Sequence, residues 1–239
     1  MLAFDDQTAE EYGAWSHQLP KPKALLFFSA HWETATPEFG ETTRHNELIY
    51  DFYGFPDKLQ QLQYPAPGAP WLIPLVEQQL QETLPRNVRG LDHGVWIPLL
   101  HMWPQADIPI LQISLPASYS NEMLFELGRR LSPLRNQDIM IASGGTLSHN
   151  LREGLSRQHQ DTPEWVTRFD QWLEDSLLNN REQLLSWEQA PEARRNHPTP
   201  EHLRPLLITL GAATEHEQAH FPMTGFDMAV FSKRSVQFG

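Results

Sequence analysis

Short apolar runs rich in β-forming residues alternate along the chain with longer stretches in which apolar positions recur at helical spacing, the arrangement that builds an α/β sheet protein. Four runs read as strands: residues 24–30, 108–114, 139–143 and the tail 229–238, whose alternating character suits an edge or antiparallel strand. Helical periodicity marks residues 71–83, 120–131, 163–179 and 200–211, the last with proline near its start and glycine at its end. The expectation is one α/β domain, residues 1–239, with a mostly parallel or mixed central sheet flanked by helices. The segment Tyr64-Pro65-Ala66-Pro67-Gly68-Ala69-Pro70 reads as a stiff connector or a pocket rim, and the polar stretch 188–196 as a surface loop. No internal repeat or linker divides the chain.

Composition narrows the chemistry. At 239 residues, with 40% hydrophobic and 20% charged positions, the chain is long enough for one substantial core and carries no sign of disorder. Its longest apolar runs fall well short of the roughly 20 residues that cross a bilayer, and Met1-Leu2-Ala3-Phe4-Asp5-Asp6 lacks the features of a secretion signal. A cytoplasmic protein without membrane partners is expected. Without cysteine, any metal must be held by His, Asp or Glu. A formal charge of −12 and the lack of a Lys/Arg cluster argue against nucleic acid, and suit a monomer or small homo-oligomer.

Four of the eleven histidines sit at ends of predicted elements. His31 follows the run Leu25-Leu26-Phe27-Phe28-Ser29-Ala30, where ligands of open α/β sheets bind. His149 follows Ile139-Met140-Ile141-Ala142-Ser143 through a Gly144-Gly145 turn, with Ser148 placed to cap a following helix. His93 lies in a turn between Asp92 and Gly94, and His202 at the opening turn of a helix. Each residue alone is as well explained by ordinary hydrogen bonding, and spacing establishes only that a histidine site is possible. His17, His45, His101, His159, His216 and His220 read as structural or solvent-exposed. His216-Glu217-Gln218-Ala219-His220 fits the zincin pattern, but its flanks do not favour a helix that would present both imidazoles. Phosphate-loop, dinucleotide and nucleophile-elbow motifs are absent.

Several segments, in order, resemble the 4,5-DOPA extradiol dioxygenase family: Ser29-Ala30-His31-Trp32, Asp51-Phe52-Tyr53-Gly54-Phe55-Pro56, Tyr64-Pro65-Ala66-Pro67-Gly68, Leu91-Asp92-His93-Gly94-Val95-Trp96, Ala142-Ser143-Gly144, His149-Asn150-Leu151 and Pro198-Thr199-Pro200-Glu201-His202. This family is related to the catalytic subunit of protocatechuate 4,5-dioxygenase. The resemblance implies metal ligation by His31 and His202, with His149 as a ligand or as the acid/base, and His93 in contact with substrate or oxygen. It implies Fe(II) for activity, Zn(II) as an alternative occupant, and a catechol such as L-DOPA with O2 as substrates. Relatives begin with a further strand ending in a His-Gly-Ser/Ala-Pro segment whose histidine is a ligand. The expectation is that this chain lacks that strand through a start assigned too far downstream. Tyr50 also stands where many bacterial relatives have His. A zinc-dependent hydrolase using the same imidazoles, and a non-catalytic metal-binding remnant, remain as alternatives.

Overall fold

The run at residues 24–30 becomes the middle of a sheet because its side chains are apolar on both faces: Ala24, Leu25, Leu26 and Phe28 are all fully buried. The computed structural model describes residues 6–40, 46–51, 60–157 and 160–239. Its contacts gather into two compact units, Met1–Ser118 with Arg130–Gly144, and Tyr119–Arg129 with Gly145–Gly239. In chain order the first contains α1 (Asp6–Gln18), β1 (Ala24–Thr34), β2 (Phe39–Gly40), α2 (Ile73–Leu80), β3 (Arg86–Asn87), α3 (His93–Met102), β4 (Ile110–Pro116) and β5 (Ile139–Gly144).

These five strands form a mixed sheet in the order β3-β2-β4-β1-β5. β1 runs parallel to both neighbours, and β2 runs antiparallel to β4. Helices flank the sheet: α3 packs on β1 and β5, and α1 packs on α3. The chain is thus an α/β protein with a mixed central sheet, as its pattern indicates. Pairing of β1 with β5 stops at Ser29↔Gly144, and its register with β4 jumps from Ser29↔Ser114 to Glu33↔Leu115. Residues 30–32 therefore lie in a bulge, and His31 is among them.

The second unit contains α4 (Asn121–Leu131), most of which falls here, then α5 (Leu151–Arg157), α6 (Glu164–Asn179), α7 (Ala193–Asn196) and α8 (Arg204–Ala212). Two small antiparallel pairs follow, β6 (Ala219–His220) with β9 (Gln237–Phe238), and β7 (Phe226–Asp227) with β8 (Phe231–Ser232). The expected tail strand is broken into β8 and β9, because the chain turns away after two residues to pair elsewhere. The 188–196 stretch is not a plain loop: it joins a 3-10 helix, Arg181–Gln189, to α7 and buries Ala193 and Asn196. Ser148 caps no helix. Its buried hydroxyl donates to Val230 O at 2.6 Å, while Asn150 Oδ1 accepts from Glu153 N at 3.1 Å and caps α5 in its place. No helix among the described residues is long and apolar enough to cross a membrane.

Candidate active site

In the first unit, Asp92 organises one group of histidines. It is the N-cap of α3, accepting from Gly94 N at 3.0 Å, and it is fully buried. The same carboxylate accepts from Ser29 Oγ at 2.7 Å, Gln112 Nε2 at 3.0 Å and His31 Nδ1 at 3.2 Å. Burial pushes its pKa up, but the hydrogen bonds from His31 and Ser29 outweigh that and bring it down to about 2. An ionised carboxylate only accepts, so Nδ1 of His31 is the donor, and in the neutral ring the lone pair is on Nε2. Burial lowers the His31 pKa, yet Asp92 and Asp51 raise it further, and the net shift is upward.

His93, the first residue of α3, makes the matching pair with Asp51, whose Oδ1 accepts from His93 Nδ1 at 2.8 Å and from its main-chain N–H at 3.1 Å. Burial raises the Asp51 pKa, but the bonds from His93 bring it below the usual carboxylate range. The rings of His31 and His93 stack with centroids 4.2 Å apart. His31, Asp51 and His93 offer ligand atoms that all lie within 4.8 Å of one another. Arg89 Nη2 donates to the His31 carbonyl at 3.0 Å, which ties down the bulge.

In the second unit, His149, Glu201 and His202 form a group of the same composition, with ligand atoms again within 4.8 Å. The imidazoles of His149 and His202 stack at 3.4 Å, only 12° from parallel. Thr146 brackets Nδ1 of His202: its main-chain N–H donates at 3.3 Å and its hydroxyl lies at the same distance. A Cβ at Gly145 would sit 2.2 Å from the His202 carbonyl oxygen, so only glycine lets this loop approach so closely. His149 N donates to Asn196 O at 2.9 Å.

The four predicted site residues therefore pair off within units, His31 with His93 and His149 with His202. Asp51, Asp92, Glu201 and Thr146 join them without having been singled out, although the first three stand in the family-like segments. Of the remaining histidines, His17, His216 and His220 are exposed, and His101 stacks on Tyr12 with centroids 6.4 Å apart. His45 and His159 lie outside the described residues. His216 is in a turn and His220 in β6, so the zincin-like pattern is not helical. His197, unremarked in the sequence, is buried among Phe169 and Trp187, and burial depresses its pKa to about 4.

The chain matches the family described as the catalytic LigB subunit of aromatic ring-opening dioxygenase over residues 5–239. It belongs to the LigB family. Among the similar proteins of this family is a 4,5-DOPA dioxygenase extradiol of Beta vulgaris, 36% identical over all of this chain and 92% of its own length. One from Mirabilis jalapa is 40% identical over 82% of this chain and 74% of its own, and one from Escherichia coli strain K12 is 36% identical over 92% and 84%. The crystal structure of an uncharacterized protein from Escherichia coli K12 matches with a TM-score of 0.84 at 32% identity, covering 99% of this chain and 94% of the other. Enzymes of the LigB family work at a metal site. Two imidazoles with a carboxylate, as in each group here, suit iron or zinc by ligand type. Because the Thr146 main-chain N–H donates to His202 Nδ1, that nitrogen holds the lone pair and the proton of the neutral ring is on Nε2.

Proposed function

We propose that this LigB-family chain is an extradiol dioxygenase that opens a catechol ring with O2 at a His-held Fe(II). The observation that carries the reading is the convergence of His149, His202 and Glu201 to within ligand distance of one another in a chain of this family. In the second unit His202, with Glu201 beside it, is proposed to hold the metal and His149 to be either a further ligand or the acid/base, while His31 is proposed as a metal-binding residue of the first unit. Fe(II), when bound, supplies the redox chemistry with O2 and acidifies the catechol hydroxyls. Zn(II) suits the same nitrogen donors but has no redox chemistry, so a zinc-filled protein should be inert toward O2.

The protein's own groups handle protons. In the acid/base role, His149 takes a proton from a catechol hydroxyl and returns it as the ring opens. His93, with its Nδ1–H committed to Asp51, presents Nε2 to substrate oxygen, and the carboxylate makes that nitrogen a better acceptor. Overall, the C–C bond beside the two hydroxyl-bearing carbons breaks, both atoms of O2 enter the product, and a muconic semialdehyde results. Small-molecule catechols, L-DOPA among them, are the proposed substrates, and the enzyme is proposed to act in the cytoplasm as a monomer or small homo-oligomer.

The test is anaerobic reconstitution with Fe(II), addition of catechol or L-DOPA, and admission of air, following O2 uptake and semialdehyde absorbance together. One O2 consumed per ring opened is the expected result. Iron-containing, folded protein that consumes no O2 with any catechol would remove the assignment.

A further inference from the structure

The end of the chain has little regular structure, yet it is anchored by buried polar contacts. Asp170 on α6 is 7% exposed, and the Arg234 guanidinium grips its carboxylate through Nε to Oδ1 at 3.1 Å and Nη2 to Oδ2 at 2.6 Å. The same Nη2 reaches Glu174 at 2.9 Å. Ser232 Oγ donates to Asp170 Oδ1 at 2.7 Å, and Ser232 N donates at 2.9 Å to the hydroxyl of Ser148, the residue before His149. Phe231 lies between these anchors. Its ring centroid is 5.4 Å from that of His149, and its edge occupies the space a Cβ on Gly154 would need, 2.7 Å away.

The turn that delivers Phe231 is strained. Met228 (φ 45°) and Ala229 (φ 64°) are consecutive non-glycine residues in the left-handed region, a conformation that persists only where its surroundings over-determine it. A buried ion pair adds little net stability, because desolvation offsets its attraction, and its known use is to impose one placement rather than another. Strain and buried charge both exceed what covering an apolar surface requires.

We propose that residues 226–234 form a positioning arm for His149, in which the Arg234–Asp170 pair locks the β7–β8 hairpin so that Phe231 holds the His149 imidazole in one orientation. The consequence for catalysis rests on the reading of His149 as the proton-handling group. The orientation itself does not, and it is measurable in the metal-free protein.

The experiment uses the full chain with isotope-labelled histidine, the His149 ring signals being assigned by their loss in His149→Gln. In metal-free Phe231→Leu, removal of the aromatic ring current should move the His149 Hδ2 and Hε1 signals by more than a line width. Arg234→Met should do the same, and Arg234→Lys, which keeps the charge but loses the two-pronged grip, should do so less. Leu124→Ala on α4, destabilising through the core, should leave these signals in place. With Fe(II), Phe231→Leu and Arg234→Met should lower kcat about tenfold or more, as a small misplacement does, with KM within about twofold. His149 signals unmoved in Phe231→Leu, or in folded Arg234→Met, overturn the proposal. If Arg234→Met does not fold, Phe231→Leu decides alone. Signals that move in the variants, together with a wild-type chain that consumes no O2, would instead overturn the dioxygenase reading and leave the arm standing.

Discussion

Replacing Gly211 by alanine should loosen the second unit, although alanine is the better helix former. Gly211 on α8 and Gly128 on α4 face each other's backbones reciprocally. A Cβ on Gly211 would meet the Phe125 carbonyl oxygen at 1.9 Å, and one on Gly128 would meet that of Ile208 at the same 1.9 Å. Ordinary contact begins at 3.4 Å, so the helices must part by up to 3.4 − 1.9 = 1.5 Å. The obstacle is helix backbone, which cannot rotate aside as a side chain would. Overpacking of this kind costs about 1–3 kcal/mol or more, and the rigid obstacle places Gly211→Ala toward the upper end. Helix propensity returns only about 1 kcal/mol. The net expectation is a loss of about 2 kcal/mol, or roughly 4–8 °C in Tm for a chain of this size. Gly13 on α1 is the internal control: a Cβ there meets nothing within 4 Å. Gly13→Ala should therefore gain about 0.5–1 kcal/mol from propensity alone. In Gly128→Ala/Gly211→Ala, one separation makes room for both methyl groups, and the cost should be less than the sum of the single variants. Urea denaturation followed by circular dichroism, with m-values compared, measures all four. A Gly211→Ala chain as stable as Gly13→Ala would refute the steric reasoning.

Asp92→Ala strips a buried acceptor from Ser29, His31, Gln112 and Gly94 N at once, and should cost about 3–5 kcal/mol in chemical denaturation. A loss under 1 kcal/mol would mean that this carboxylate is not the organiser described. His197 is held neutral by burial, with a pKa of about 4 against 6.5 for the free group. Because the folded value is the lower one, the contribution is complete above pH 6.5 and is lost as pH falls from 6.5 toward 4; at 2.5 units it amounts to about 3 kcal/mol. His197→Phe should flatten the fall in urea midpoint between pH 7 and pH 4.5, and an equally steep fall in the variant would assign the acid sensitivity to other groups.

The sequence determined by itself what its periodicities and side-chain types encode. The apolar run at 24–30 becomes a buried strand because burial on both faces of a sheet leaves no other place for it, and the run at 139–143 becomes an edge strand that is buried at Ile139 and half-buried beyond it. The amphipathic stretches that become α4 and α6 fall within a residue or so of their predicted starts, since one apolar stripe suffices to define each helix. A candidate histidine site was legible from eleven imidazoles and no thiol, and the family from segments in order. α3 escaped the periodicity because the helix is apolar nearly all round and carries Pro98, so no stripe marks it. Only tertiary structure decided the partners. Asp92 meets Ser29 across 63 positions, Thr146 meets His202 across 56, and Arg234 meets Asp170 across 64, separations at which a local pattern holds no information. Whether a histidine is ligand, base or buried filler depends on which carboxylate, hydroxyl or ring the fold sets beside it, and that is a property of packing rather than of spacing along the chain.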